Sequence, residues 1–109
     1  MVGMPEVDVF TALANPVRRR LLELLAESPR NAGSLAEEFD LSRSAVSEHL
    51  SVLRRAALVH EEVRGRERHY TLAAQPLADL GTWLRPFERY WRDRLSTRAD
   101  HLTEEHPAP

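Results

Sequence analysis

Between Leu41 and Val59 the chain reads LSRSAVSEHLSVLRRAALV, and no other stretch constrains the fold as strongly. On a helix of about 3.6 residues per turn, Val46, Leu50, Leu53 and Ala57 fall on one side. Arg43, Ser44, Ser47, Glu48, Ser51 and Arg54 are left for the other faces. Ser42 stands where a hydroxyl can cap the first free amides, so the helix is expected to start just after it. The inner stripe requires a core to lie on. The outer stripe offers small hydroxyls and arginines, so the backbone can approach a polar partner closely.

The residues ahead of this helix supply that core. In Asn15 to Ser28, NPVRRRLLELLAES, asparagine can cap and proline suits the first helical position, and Val17, Leu21, Leu24 and Leu25 recur at helical spacing before Pro29 ends the run. Val7 to Ala14 predicts a shorter helix whose apolar stripe, Val7, Phe10, Leu13 and Ala14, needs a partner, for which a second subunit is a candidate. Asn31 can cap a third helix, GSLAEEFD, that buries Leu35, Ala36 and Phe39. Leu41 and Ser42 then make the tight turn into the fourth. Two short helices joined by such a turn, the second with an apolar inner and a serine and arginine outer face, make a helix-turn-helix, expected over about 32–57.

After Leu58 the period changes from helical to alternating. Val59, Glu61 and Val63 alternate, RGRE supplies a glycine turn, and Tyr70 and Leu72 resume the alternation. This predicts a β-hairpin wing over about 58–72, with Arg64, Arg66 and Arg68 placed to reach phosphates or the minor groove beside the fourth helix. A last helix is expected over about 76–102, with Leu77, Leu80, Leu84, Phe87, Trp91 and Leu95 at spacings of three and four. Pro86 predicts a kink or break around Thr82 to Arg85. Trp83, Phe87, Tyr90 and Trp91 crowd this helix, and so small a body cannot cover them all. A symmetric dimer built on the first and last helices, through Phe10, Leu13, Leu84, Phe87, Trp91 and Leu95, accounts for them. The same aromatics could line a pocket for an apolar effector, but core and dimer packing explains them without one.

The chain has 109 residues, near the size of one compact domain, so a single domain over 1–109 is expected with its core at about 6–102. The ends, 1–5 and 103–109, have the proline, glycine and polar character of loose termini. No apolar run approaches the ~18 residues of a membrane span and the start lacks a signal-like segment, which predicts a soluble, cytoplasmic protein without a membrane partner. Cysteine is absent, which excludes a disulfide framework, a zinc knuckle and a thiol nucleophile. The formal net charge is −2, an unpromising figure for a partner of a polyanion. Placement resolves the difficulty: Ser42 to His69 holds six arginines against four acids. Counterion release depends on the phosphates actually contacted, so a basic face on an acidic body suits DNA.

FTALANPVRRRLLELLAE, SLAEEFDLSRSAVSEHLSVLRRAALV and the wing VRGRERHYTL together resemble the ArsR (SmtB-like) winged-helix repressors over roughly Val7 to Leu95. The closing LADLGTWLRPFERYWRDRL resembles a branch with a tryptophan-rich final helix and no recognised metal ligands. The resemblance implies a mainly α fold with a β-hairpin wing, in the order α-α-α-α-β-β-α. It also implies a homodimer that binds double-stranded DNA at a palindromic operator. The implied DNA-contacting residues are Arg43, Ser44, Ser47 and Glu48, with Ser42, His49 and Arg54 beside them and Arg64, Arg66 and Arg68 as backbone contacts. Many members of the family have glutamine where Arg43 stands. Arginine there can grip guanine O6 and N7 or bind a phosphate, and both readings are open. His49 is either a DNA contact or a ring wedged at the core edge. Ala57 stands where the family pattern has glycine at a left-handed helix end, a conformation that costs alanine about 1 kcal/mol more than glycine.

Many ArsR-like repressors release DNA on binding metal, through cysteines on the third helix or through carboxylates and histidines across the paired last helices. The first route is closed here. For the second, His101 and Glu104 lie one turn apart with Asp100 and His106 nearby, while Glu88 and Tyr90 fall at the other half and Tyr90 replaces a histidine. A sensor site needs all its ligands on rigid elements, so a polar tail with incidental histidines is preferred and no cofactor is expected. An effector, small molecule or metal, is compatible with the sequence but not indicated by it. Ser47, Glu48 and His49 are helical neighbours that point in different directions and cannot form a hydrolytic triad, and no other enzyme motif is present. The alternatives to a plain repressor are a zinc- or nickel-responsive sensor and a winged-helix protein-interaction module, the latter distinguished by a lack of salt-dependent DNA binding.

Overall fold

The computed structural model describes residues 6–105, with side chains described for 6–96. The elements run α1 (Val9–Leu13), α2 (Pro16–Glu27), β1 (Arg30–Asn31), α3 (Ala32–Ala36), α4 (Arg43–Arg55), β2 (Val59–Arg64), β3 (Glu67–Leu72) and α5 (Ala74–Glu105). The chain divides into a unit ending at Leu77 and a unit beginning at Ala78.

In the first unit the caps are those the sequence requires. Asn15 Oδ1 accepts from the amides of Val17 at 2.9 Å and Arg18 at 3.1 Å, and Pro16 takes the first helical position. Helix α1 is shorter than Val7 to Ala14 because Asp8 is its cap, accepting from Phe10 N at 2.9 Å and Thr11 N at 3.3 Å. Its inward residue is Ala12, fully buried, and Val7, Val9 and Leu13 pack half-buried on the chain's own core. Of the predicted stripe, Phe10 is the large residue left exposed, at 51 %. Helix α3, capped by Asn31 Oδ1 on Ser34 N at 2.7 Å, ends at Ala36 and not at Asp40. Three-residue bonds, Glu38 N to Leu35 O and Phe39 N to Ala36 O, tighten the chain there and leave Phe39 against the core.

Leu21, Leu35, Val46, Leu50, Leu53 and Leu58 are the largest fully buried side chains and hold α2, α3, α4 and the start of the wing together. Ala57 does not join the inner face of α4 as predicted. Ala56 is the buried residue, and Ala57 is exposed with φ +61°, the left-handed helix end read in the sequence as costly for alanine. Ala57 N donates to Arg54 O and Leu58 N to Leu53 O, both at 2.9 Å, the paired bonds of a Schellman motif. Burial of Leu58 against Leu53 accompanies it and holds the strained residue in place.

The predicted hairpin is part of a three-stranded antiparallel sheet, ordered β1-β3-β2. In it Val59 pairs with Leu72 and Arg64 with Glu67, while Arg30 and Asn31 pair with Tyr70 and His69. Strand β1 is an addition to the expected order α-α-α-α-β-β-α. Two residues are too few to show an alternation, so no sequence pattern announces it. Gly65 has φ +63° and Arg66 does not share it, the pattern of a type II′ hairpin turn with glycine first.

Helix α5, most of which makes up the second unit, is continuous through Pro86, and the predicted break is absent. Proline removes a single backbone bond, the one to Thr82 O, and the turns on either side carry the helix across. The helix also starts at Ala74, two residues ahead of Pro76. Trp83, Phe87, Tyr90, Trp91 and Leu95 are exposed, and Leu84 is half-buried. The rings of Trp83 and Phe87 lie 5.0 Å apart, and the Arg94 guanidinium sits 4.3 Å over the Tyr90 ring.

Candidate nucleic-acid interface

Helix α4 begins where Ser42 Oγ accepts from Ala45 N at 3.0 Å. With Val46, Leu50 and Leu53 locked in the core, Arg43, Ser44, Ser47, Glu48 and Arg54 are all exposed, as their positions in the sequence require. The wing stands beside them on the sheet. Arg64, Arg66 and Arg68 are exposed as well, and two of them are engaged by carboxylates of their own hairpin. Arg64 Nε lies 3.1 Å from Glu62 Oε1, and Arg68 Nη1 lies 3.7 Å from Glu61 Oε2. The hydrogen bond from Arg64 holds the Glu62 carboxyl below its usual pKa, and the same bond raises that of Arg64. Arg66, at the turn, has no ion pair among the described residues.

Glu61 does a second job. It accepts from Tyr70 Oη at 2.8 Å, so the base of the wing is tied to a ring that is 3 % exposed. Burial, then that bond, push the Tyr70 phenol up to about 12. Glu67 is tied as well, 3.3 Å from Asn31 Nδ2 and 3.2 Å from His69 Nε2. The asparagine that caps α3 thereby also holds the wing.

Between these elements lies a cleft of about 270 Å³ lined by Asn31, Ala32, Gly33, Arg43, Ser47, Arg66, Glu67 and Arg68. Three arginines from two elements, with one glutamate among them, give it a net positive lining. Gly33 makes room: a Cβ there would stand 3.3 Å from Arg43 Nη2, so the guanidinium rests against bare backbone. Of the ten residues expected to face DNA, Arg43, Ser47, Arg66 and Arg68 converge on this cleft. Ser42, Ser44, Glu48, Arg54 and Arg64 are exposed outside it. His49 turns toward α2, where Arg18 Nη1 lies 3.2 Å from its Nδ1. Burial and then Arg18 lower its pKa, with Glu48 opposing.

Asn31, Gly33 and Glu67 have no place in the sequence-based site, since Asn31 reads as a cap and Gly33 as the first residue of the helix that follows it. The side chains of His101 and Glu104, and the whole of His106, lie outside the described residues. Among the described residues no group of three His, Asp or Glu could hold a metal ion, and no helix is long and apolar enough to cross a membrane.

A chain with this scaffold has relatives. The transcriptional repressor SdpR of Bacillus subtilis is 34 % identical over 73 % of this chain and 89 % of its own. The HTH-type transcriptional regulator Rv2034 of Mycobacterium tuberculosis is 40 % identical over 88 % of this chain and 87 % of its own. Residues 15–61, from the cap of α2 into the wing, match the model for bacterial regulatory proteins of the arsR family. This chain belongs to the ArsR family. A solved structure, that of a possible transcriptional regulator for arsenical resistance, is 41 % identical, and the match covers 80 % of this chain and 91 % of the other with a TM-score of 0.71. Membership makes the chain a winged helix-turn-helix transcription regulator and not an enzyme, with α4 in the position of the motif's second, recognition helix and the β2–β3 hairpin in that of its wing.

Proposed function

We propose that the chain is a cytoplasmic transcriptional repressor that acts as a homodimer on a palindromic operator, with each α4 in a major groove and half-sites centred about one turn (~34 Å) apart. The observation that carries this is the cleft where recognition helix and wing meet, because Arg43, Arg66 and Arg68 converge there from elements fixed by one core. Three guanidiniums around one concavity suit a backbone phosphate better than a base edge. Arg43 is accordingly assigned to the phosphate, and Ser44, Ser47 and Glu48 are left to face the bases. Arg64 and Arg54 add backbone contacts on either side.

Dimerisation is supported by the aromatic stripe of α5. Trp83, Phe87, Trp91 and Leu95 recur at spacings of four, four and four, and each is more than a third exposed. A contiguous apolar stripe of this kind is costly to leave in water and is used by α5 pairing with its copy.

The test is selection of duplexes from a randomised pool, followed by binding at several salt concentrations and sedimentation of the free protein. A palindromic consensus, a steep loss of affinity with salt and a dimer at micromolar concentration are expected. Salt-independent or absent DNA binding, or a monomer, would count against it.

A further inference from the structure

Arg18 occupies a junction of three helices. Its Nε donates to Ala12 O at 2.7 Å and its Nη2 to Thr11 O at 3.1 Å, so it satisfies carbonyls at the end of α1. Its Nη1 lies 3.2 Å from Nδ1 of His49, on the recognition helix. A guanidinium donates and never accepts, so the imidazole nitrogen in this bond has to be the acceptor. A neutral ring that accepts at Nδ1 carries its proton on Nε2. Burial and the guanidinium both favour the neutral ring, and the other charge that acts on it, Glu48, sits next to it on α4.

The second nitrogen is the informative one. His49 Nε2 has no hydrogen-bond partner among the described residues, and the one buried side-chain polar atom there without a partner is Arg55 Nε. Nε2 is therefore open to solvent. It belongs to a half-buried ring at the edge of α4, the helix proposed above to read DNA, and it carries a hydrogen. We propose that Arg18 is a positioning residue for DNA recognition, fixing His49 as a neutral Nε2–H donor that bonds an acceptor on the bound duplex. Through its other two bonds the same guanidinium makes the setting of that ring depend on where the last turn of α1 lies. Resting on the DNA-binding function above, this adds a contact and the residue that aims it.

The ring state is read directly by nitrogen-15 NMR of the full-length protein at neutral pH, which requires no variant. Nδ1 unprotonated and Nε2 protonated is expected; a mixed or reversed tautomer overturns the proposal. Affinity is then measured for the duplex that the wild-type protein selects from a random pool. His49→Asn keeps an acceptor near the place of Nδ1 but removes the Nε2 donor, and about a tenfold loss is expected, the upper end for one ordinary hydrogen bond. Arg18→Gln should lose about as much and also release the ring into mixed tautomers, and the double variant should lose no more than either alone. Wild-type affinity in His49→Asn, or losses that multiply in the double variant, would overturn it. If Arg18→Gln does not fold by circular dichroism, Arg18→Lys replaces it, keeping the charge but not the three-way fork. Failure of the wild-type protein to select any duplex would sink the repressor function, while the ring measurement would still judge the Arg18–His49 bond.

Discussion

The amide of Leu58 donates to the carbonyl of Leu53 at 2.9 Å, closing the recognition helix across an alanine held at φ +61°. Both leucines are fully buried, so the strain at Ala57 is held in place by the core on either side of it. Ala57→Gly should relieve it. A gain of about 1 kcal/mol is expected, raising the melting temperature by roughly 4–8 °C with DNA affinity unchanged, since the residue is exposed and adds no donor. A thermal melt at fixed protein concentration checks it; an unchanged or lower melting temperature would show that the site carries no strain.

In the sequence Arg43 is open to two readings, guanine or phosphate, and the function proposed above assigns it to phosphate because it shares a cleft with two wing arginines. Arg43→Ala should therefore weaken binding about equally on every duplex and lower the slope of log affinity against log salt by about 1. Loss of preference at one position in the half-site, with the slope preserved, would return Arg43 to base reading.

Glu62 holds Arg64 through Nε and Nη2 in the free protein. DNA has to compete with that carboxylate. Glu62→Gln is expected to tighten binding to random-sequence duplex by a few-fold and to steepen its salt dependence, since an uncompensated arginine meets the phosphates. Titration of labelled random duplex into both proteins reads this, and equal affinities would mean that the pair does not form in solution.

Tyr70 predicts an alkaline limit to stability. Its folded pKa, about 12, lies above the ordinary value of 10, so the contribution is complete below pH 10 and is lost as pH rises through 12. Absorbance titration of a Tyr90→Phe variant, in which Tyr70 is the sole tyrosine, should show the phenolate appearing near pH 12. A midpoint near 10 would mean that the Glu61 bond and the burial are absent. Tyr70→Phe should remove this part of the pH dependence.

The elements that were legible in the sequence are those whose signal is local. Ser42 and Asn15 announce their helices by caps, and Val46, Leu50 and Leu53 announce an inner face by spacing. Gly65 announces a turn because only positive φ fits there. The relationships that escaped are between elements far apart in the chain. Arg30 and Asn31 become a strand only because Tyr70 and His69 pass beside them, and Asn31 meets Glu67 across 36 positions. Gly33 matters because Arg43 folds over it, and Arg18 because its guanidinium spans α1 and α4. For Ala57 the two readings of the sequence divide: helical spacing predicts it on the inner face, but the helix ends before it, and the left-handed helix end that the family pattern implies is the conformation it has.

The two-residue strand β1 carries a consequence for how such a protein can change its target. Backbone bonds from Arg30 and Asn31 to β3 join the root of α3 to the wing, and neither residue's side-chain identity enters that pairing. The spacing between the base of the wing and the root of α3 is thereby gauged by main chain, with the Asn31–Glu67 side-chain bond beside it. On the function proposed above, Ser44, Ser47 and Glu48 can be exchanged to suit a different operator while the span between wing and α4 stays the same, so new specificity requires no new calliper.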